Sequence, residues 1–259
     1  STVLYSVTVL SHGNIEAIYI IQFTCNHFMS KPIETTPWQQ YQTDLQREDF
    51  QHDEAQENAV KHLQRLFDEL TVNSQTPKSG LFSKLFGGKK DKSAVQGLYF
   101  WGGVGRGKTY LVDTFYECLP TDKKLRIHFH RFMHKVHDEM NDLKGISDPL
   151  KIVAKRFAQE AQIICFDEFY VSDITDAMIL GTLLDELFKL GVVFVTTSNI
   201  VPDDLYKNGL QRARFLPAIA LLKKHCDVVN VDSGVDYRLR ALEKAEIFHH
   251  PLDQQADIN

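Results

Sequence analysis

The sequence predicts an α/β fold in which a five-stranded, mostly parallel sheet carries helices on both faces. Three observations lead to this prediction. Five short apolar segments alternate with segments of helical periodicity, a glycine-rich loop follows the first of these segments, and two adjacent acids follow the third. Strands that are apolar along their whole length and alternate with helices are typical of parallel sheets buried on both faces.

The composition is that of an ordinary globular protein. Of the 259 residues, 43% are apolar and 24% are charged, which excludes a disordered chain, a fibre and a disulfide-stapled miniprotein. The net charge of −5 gives no general electrostatic reason to expect nucleic acid as a partner. No window reaches the roughly 18 apolar residues of a membrane span. The four cysteines form no C-x-x-C pair, which excludes a zinc ribbon and a thioredoxin-type motif; they are Cys25, Cys118, Cys165 and Cys226. Cys165 and Cys226 lie inside apolar runs, as reduced buried thiols do, so we expect a reducing compartment.

The first 72 residues divide into two segments. Residues 1–28 contain neither lysine nor arginine and Met29 offers a second start, so we expect an extension outside the fold. The missing basic presequence favours a cytoplasmic protein over a mitochondrial one. Residues 29–72 are predicted to be a helical segment, because residues 53–70 place apolar side chains at helical spacing with Asp53 as the cap.

Residues 73–96 are predicted to form a flexible basic connector. Five lysines between Lys78 and Lys92 stand against a single acid, Asp91. The leucines and phenylalanines among them leave open a contact with an acidic membrane surface or with a partner.

Residues 97–259 carry the alternation of strands and helices. The predicted strands are residues 97–101, 125–130, 162–166, 192–197 and 227–231. The predicted helices are residues 108–119, a stretch that ends near residue 143, and residues 150–159, 174–190 and 215–225.

A phosphate-binding loop is the strongest functional signal. The pattern G-x-x-x-x-G-K-[ST] falls between a predicted strand and a predicted helix, on Gly102, Gly103, Val104, Gly105, Arg106, Gly107, Lys108 and Thr109. Glycines let successive backbone N–H groups converge on phosphate oxygens, and the start of the helix adds the positive end of its dipole. We expect Lys108 to reach the β and γ phosphates of ATP, and Thr109 to coordinate Mg²⁺.

Two acids come directly after the third predicted strand. Asp167 and Glu168 should therefore lie at the carboxyl edge of the sheet, where the phosphate-binding loop also opens. Asp167 suits the coordination shell of Mg²⁺, and Glu168 could activate the attacking water as a general base. Capping of the next helix is the alternative explanation for such a pair on its own.

Three further residues are candidates for catalysis. Asn199 follows the fourth strand and can position the water beside the γ phosphate, although it could also merely begin a turn before Pro202. Arg212 and Arg214 precede the last helix. They are either surface charges or an arginine finger that reaches the site of a neighbouring subunit.

Four histidines form a cluster along the sequence. His128 and His130 are predicted to share a strand face, whereas His130, His134 and His137 follow helical spacing. A zinc site is conceivable, but no cysteine or carboxylate stands around them at ligand spacing. Structural or partner-sensing histidines are the favoured interpretation.

Several long blocks occur in a fixed order between residues 36 and 240. They are GLYFWGGVGRGKTYLVDTFY, RIHFHRFMHKVHDEM, ICFDEFYVSDITDAMIL, TTSNIVPDDLYKNGLQRARFLPAI and VDYRLR. These blocks resemble the ZapE family of AAA+ ATPases, which are bacterial cell-division proteins with mitochondrial relatives of the LACE type.

The resemblance implies an AAA+ core with strand order 5-1-4-3-2. It implies a Walker A motif at residues 102–109, a Walker B motif at Asp167 and Glu168, the first sensor at Asn199, and the finger in the region of Arg212 and Arg214. The implied activity is Mg²⁺-dependent ATP hydrolysis in an ATP-dependent homo-oligomer. Bacterial members associate with the tubulin-like division protein FtsZ and are recruited to the septum, so we expect a protein partner rather than nucleic acid.

Family members usually continue past the counterpart of Asn259 into a helical lid that carries a second sensor arginine. Residues 97–259 are expected to lack this lid. Because the lid is expected to be missing, one alternative function is an ATP-gated binding adaptor that hydrolyses little ATP. A helicase-loader-like protein that acts on DNA through the basic connector is the other alternative.

Overall fold

The computed structural model describes residues 35–48, 50–75 and 95–232. The segment 1–28, the connector residues 76–94 and residues 233–259 lie outside the described residues, as do the predictions made for them. In the described part of the chain before the sheet there are two helices, α1 (Pro37–Asp44) and α2 (Glu54–Gln75). Residues 73–75, which the sequence assigns to the connector, are thus the last residues of α2.

Between residues 95 and 232, which the structure describes, five strands and five α-helices follow in the order that the sequence predicts. The strands are β1 (Gly97–Trp101), β2 (Lys124–His128), β3 (Ile163–Asp167), β4 (Val193–Ser198) and β5 (Cys226–Asn230). The helices are α3 (Lys108–Cys118), α4 (Phe129–Asp142), α5 (Pro149–Glu160), α6 (Ile174–Lys189) and α7 (Leu216–His225).

The five strands form one sheet in the order β2-β3-β4-β1-β5, and every neighbouring pair is parallel. Read from the other edge, this order is the predicted 5-1-4-3-2. Each crossover passes over a face of the sheet, and the carboxyl ends of all five strands therefore meet at one edge.

Helices bury both faces of the sheet, which is why its strands are apolar along their whole length. Tyr99 and Phe166 belong to the core beneath α4, α5, α6 and α7. Their chain neighbours Phe100 and Cys165 point the other way, into the core shared with α1, α2 and α3. The alternation follows the period of two in a strand.

One predicted boundary is wrong, at the end of β2. The strand ends at His128 and α4 begins at Phe129 without a loop, so His130 is helical and does not share a strand face with His128. The physical reason lies in the residues that follow. Phe129, Phe132 and Val136 are buried at helical spacing, and burying them on one face requires the helix to start at once.

The N-terminal helices hold the helix that follows the phosphate-binding loop. The Tyr110 hydroxyl on α3 donates a hydrogen bond of 2.8 Å to the Asp44 carboxylate at the end of α1. Gln56 on α2 packs against the loop so closely that a Cβ atom on Gly107 would lie 2.6 Å from the Gln56 side-chain nitrogen. The predicted helical segment therefore supports the loop.

None of the helices that the structure describes has the length and apolar character to cross a bilayer.

Candidate functional site

A cavity of about 480 Å³ opens at the carboxyl edge of the sheet. The loop residues 104–109 form one wall, and the ends of β2, β3 and β4 contribute the others. Those strand ends supply Arg126, His128, Asp167, Glu168, Thr197 and Asn199. The cavity therefore brings together the predicted phosphate-binding loop, the acid pair and Asn199 from three separate parts of the chain.

The loop has the backbone shape that its glycines predict. Gly105 and Gly107 have φ angles of 79° and 75°, in the left-handed region where a side chain is strained. The Lys108 ammonium turns back over the loop and donates hydrogen bonds of 2.6 Å to the carbonyl oxygens of Gly102 and Gly103. Burial lowers the pKa of Lys108, a shift that the nearby Asp232 carboxylate opposes. The loop thus presents a half-buried cation beside the start of α3.

Asp232 braces the loop from the far side, a contact that the sequence does not predict. Its carboxylate accepts a 3.1 Å hydrogen bond from the Gly103 N–H and lies 2.9 Å from Nε of Arg106. Asp232 follows β5, which is the neighbour of β1 in the sheet. The sequence shows no more than an acid just after the fifth strand. Its contact with the loop can be inferred only once β5 is known to lie beside β1.

Asp167 ends β3 with its two carboxylate oxygens in different environments. Oδ2 accepts a 3.0 Å hydrogen bond from Nε of Arg126 on β2, and Arg126 also pairs with Asp113 on α3. Oδ1 is buried and has no hydrogen-bond partner among the residues that the structure describes. The carboxylate is thus fixed by one oxygen and has the other oxygen available.

Glu168 has an unusual backbone for a residue with a side chain. Its φ angle is 55°, in the left-handed region, which costs about 1 kcal/mol for a residue other than glycine. Its N–H donates a 3.1 Å hydrogen bond to the hydroxyl of Thr197 on β4. The side chain of Glu168 is exposed and lies in the cavity wall.

The two candidate arginines lie outside this cavity lining, unlike Asn199. Arg212 and Arg214 form a 3₁₀ turn between β4 and α7. Arg212 donates a 2.6 Å hydrogen bond to the carbonyl oxygen of Asp203. Arg214 is exposed, and its guanidinium contacts the sulfur of Met178 at 3.6 Å. Within one chain, then, the fold does not bring these arginines to the acid pair.

The histidines are distributed between the cavity and the surface of α4. His128 lines the cavity, and its ring centre lies 5.8 Å from that of His130. His137 forms a 2.6 Å hydrogen bond with the Asp176 carboxylate on α6, which is a structural contact between helices. In the described parts of the chain, no group of three or more histidine, cysteine, aspartate or glutamate side chains is arranged to hold a metal ion by itself.

The cavity nevertheless fits a nucleotide and the magnesium ion that accompanies it. A magnesium ion in such a site takes one or two protein oxygens and completes its shell with water and phosphate. Asp167, whose Oδ1 has no hydrogen-bond partner among the described residues, and the exposed Thr109 both line this cavity and could supply those oxygens. At Gly105 and Gly107, which adopt the left-handed conformation, no side chain obstructs the phosphates.

A glycine-rich phosphate loop after β1 and an acid pair after β3, on a parallel sheet of order 5-1-4-3-2, define the P-loop ATPases of the AAA+ class. More narrowly, the chain belongs to the AFG1-like ATPase family, whose family model matches residues 35–259. This match and the 54% identity to a ZapE protein together confirm the resemblance found in the sequence.

Among its relatives is the cell division protein ZapE of Escherichia coli (strain K12). The two are 54% identical over 228 residues, which cover 85% of this chain and 60% of ZapE. Lactation elevated protein 1 homolog B of Danio rerio is 48% identical over 161 residues, or 58% of this chain and 32% of that protein. The chain therefore spans about 60% of the length of ZapE.

Among solved structures, the chain is similar to the crystal structure of DnaI. The TM-score is 0.48 and the sequence identity 16%, over 72% of this chain and 86% of DnaI.

Proposed function

We propose that this chain hydrolyses ATP in a Mg²⁺-dependent reaction and uses the cycle to act on a protein partner. The observation that carries the proposal is the meeting of the phosphate loop, the acid pair and Asn199 around one cavity. Motifs that come from three parts of the sequence have little reason to share a cavity unless they act on the same molecule.

The residues divide between holding the triphosphate and activating water. Backbone N–H groups of residues 104–109 and the Lys108 ammonium bind phosphate oxygens. Thr109 and Asp167 hold Mg²⁺, which supplies positive charge to the β and γ phosphates when bound. Glu168 accepts a proton from the attacking water, and Asn199 orients that water.

We further propose that Arg214 completes the site of a neighbouring copy. Its guanidinium is exposed and, among the described residues, contacts only a thioether, whereas that of Arg212 is held by its own chain at Asp203. Leu210 and Leu216 flank Arg214 and are 70% and 45% exposed, respectively. A cation between exposed apolar side chains suits a surface that a second subunit covers.

The partner is proposed from the relatives. The chain is similar to a protein described as a cell division protein. FtsZ is the first candidate because the family resemblance of the sequence implies it. We propose a cytoplasmic protein that is recruited to the division septum.

ATP turnover measured against protein concentration, with Mg²⁺ present, tests the proposal. We expect specific activity to rise with concentration, because neighbouring copies complete each other's sites. Glu168→Gln should bind ATP but hydrolyse it so slowly that the nucleotide stays bound, with only a residual single-turnover rate. Tight ATP binding with flat, near-zero turnover at every concentration would contradict hydrolysis and favour an ATP-gated adaptor. Addition of FtsZ polymers to the same assay tests the partner, since a client should change turnover or co-sediment with the chain.

A further inference from the structure

We propose that Thr197 is a positioning residue for hydrolysis, which acts by fixing the backbone of Glu168. The inference rests on the proposed function, because it concerns the residue that activates water. Thr197 lies near the end of β4, one strand away from Glu168 in the sheet, and its side chain is 3% exposed.

The Thr197 hydroxyl bridges the two residues on either side of Asp167. Its oxygen accepts the hydrogen bond from the Glu168 N–H at 3.1 Å and lies 3.5 Å from the Phe166 carbonyl oxygen, to which it donates. Glu168 adopts its left-handed conformation at this point. A residue in this conformation needs surrounding contacts to keep it there, and this hydrogen bond is one that a side chain supplies.

The rest of the loop is held by contacts that do not involve this hydroxyl. The Phe169 N–H donates a 2.7 Å hydrogen bond to the backbone carbonyl of Thr197, and the Ser198 hydroxyl donates one of 2.8 Å to the Phe169 carbonyl. Loss of the Thr197 hydroxyl therefore frees the Glu168 N–H while the loop beyond it stays attached to β4. The expected consequence is a shift of the Glu168 carboxylate, and not unfolding of the loop.

The neighbouring residue provides a matched control. Thr196 is fully buried, and its hydroxyl has no hydrogen-bond partner among the described residues. Thr196 and Thr197 point to opposite faces of the sheet. Replacing either with valine exchanges one hydroxyl for one methyl group in the same strand, but only the change at residue 197 removes the hydrogen bond to Glu168.

The experiment compares Thr197→Val, Thr197→Ser and Thr196→Val in ATP turnover, ATP affinity and thermal unfolding. We expect Thr197→Val to lower kcat by about tenfold with ATP affinity unchanged, because a misplaced base slows only the chemical step. Thr197→Ser keeps the hydroxyl and should restore most of kcat. Thr196→Val should turn over ATP like the unmodified chain.

A double variant separates positioning from a general structural effect. If Thr197 acts through Glu168, then Thr197→Val should cause no further loss of single-turnover rate in the Glu168→Gln background. An additive loss, a parallel loss of ATP affinity, or a kcat equal to that of Thr196→Val would each overturn the inference. Absence of turnover in the unmodified chain at every concentration would instead overturn the proposed function, and this inference with it.

Discussion

Nε of Arg126 lies 3.0 Å from Oδ2 of Asp167, on the neighbouring strand. Arg126 is paired in register with Cys165, so its side chain leaves the sheet on the same face as that of Asp167, two residues further along β3. The guanidinium also pairs with Asp113 and so links β3 to α3, the helix of the phosphate loop. A buried carboxylate at the proposed magnesium site thus has a permanent cationic neighbour.

Replacing Arg126 with methionine should destabilise the chain. Asp167 is 7% exposed and would lose its counter-ion. Because the Arg126 side chain is itself 25% exposed, we expect the free energy of unfolding to fall by about 2 kcal/mol, which is less than for a fully buried pair. Addition of Mg²⁺ and ADP should raise the Tm of this variant more than that of the unmodified chain, because bound cation replaces the lost charge. Thermal and urea unfolding with and without Mg²⁺-ADP measure both effects.

Arg156→Met is the matched control for this variant. Arg156 pairs with Glu139 on the exposed surface of α4 and α5, where an ion pair contributes at most about 1 kcal/mol. Equal stability of the Arg126 variant and this control would show that the contact with Asp167 contributes nothing.

Replacing Lys108 with alanine should weaken ATP binding by at least about tenfold, because the variant loses the half-buried charge beside the phosphate loop. Titration with a fluorescent ATP analogue measures the affinity. Lys189→Ala removes an exposed lysine that pairs with acids on α6, and it should bind ATP normally. Unchanged affinity in the Lys108 variant would overturn the assignment of the loop.

Replacing Arg214 with alanine should lower ATP turnover by about a thousandfold if it is the finger, since such arginines contribute factors of that order. Arg212→Ala should have a smaller effect, because Arg212 is bound to the backbone of Asp203. Arg131→Ala, an exposed arginine on α4, serves as the control.

Mixing two inactive variants tests whether Arg214 acts on a neighbouring copy. Arg214→Ala and Glu168→Gln should recover activity together, because some interfaces then combine an intact Glu168 with an intact Arg214. Full activity of Arg214→Ala alone, or no recovery in the mixture, would contradict a finger that reaches between subunits.

His225 should make stability depend on pH. Its ring stacks on Phe188 with centres 4.3 Å apart, and burial, reinforced by the nearby Lys224, lowers its pKa below the ordinary 6.5, with Asp185 opposing. The unfolded chain therefore takes up the proton more readily than the folded chain does. The stability that depends on an unprotonated His225 is fully present above pH 6.5. It is lost as the pH falls from 6.5 towards the lowered pKa of the folded chain.

Urea unfolding from about pH 8 to about pH 5 measures this dependence. His225→Phe keeps an aromatic ring against Phe188 and removes the titrating group. Its stability should therefore fall less on acidification than that of the unmodified chain. Identical pH profiles would exclude His225 as a source of the dependence.

Local patterns in the sequence account for much of the fold and the site. The glycine spacing in residues 102–109, the apolar run that ends in Asp167 and Glu168, and the strand before Asn199 each lie within one short segment. Period and motif are properties of such segments, and parallel strands place their carboxyl ends at one edge. The strand boundary at His130 was predicted wrongly because the strand periodicity of β2 passes directly into the helical periodicity of α4, with no turn residue between them.

Contacts between distant segments could not be predicted in the same way. The partners Arg126 and Asp167 are 41 residues apart in sequence, and Gly103 and Asp232 are 129 apart. Neither segment contains information about its partner residue. The pairing depends on which strands become neighbours and on the face of the sheet from which each side chain projects.

The sequence by itself determined the α/β fold class, the phosphate loop and the acid pair, since these depend on short-range spacing. The narrower AAA+ class came from its resemblance to a known family. Only the tertiary structure decided which side chains position the phosphate loop and the acid pair. Arg126 at Asp167, Thr197 at Glu168 and Asp232 at the loop follow from the order and register of the five strands. That order and register depend on the pairing of strands and the packing of helices that are far apart in sequence, and no short segment contains this information.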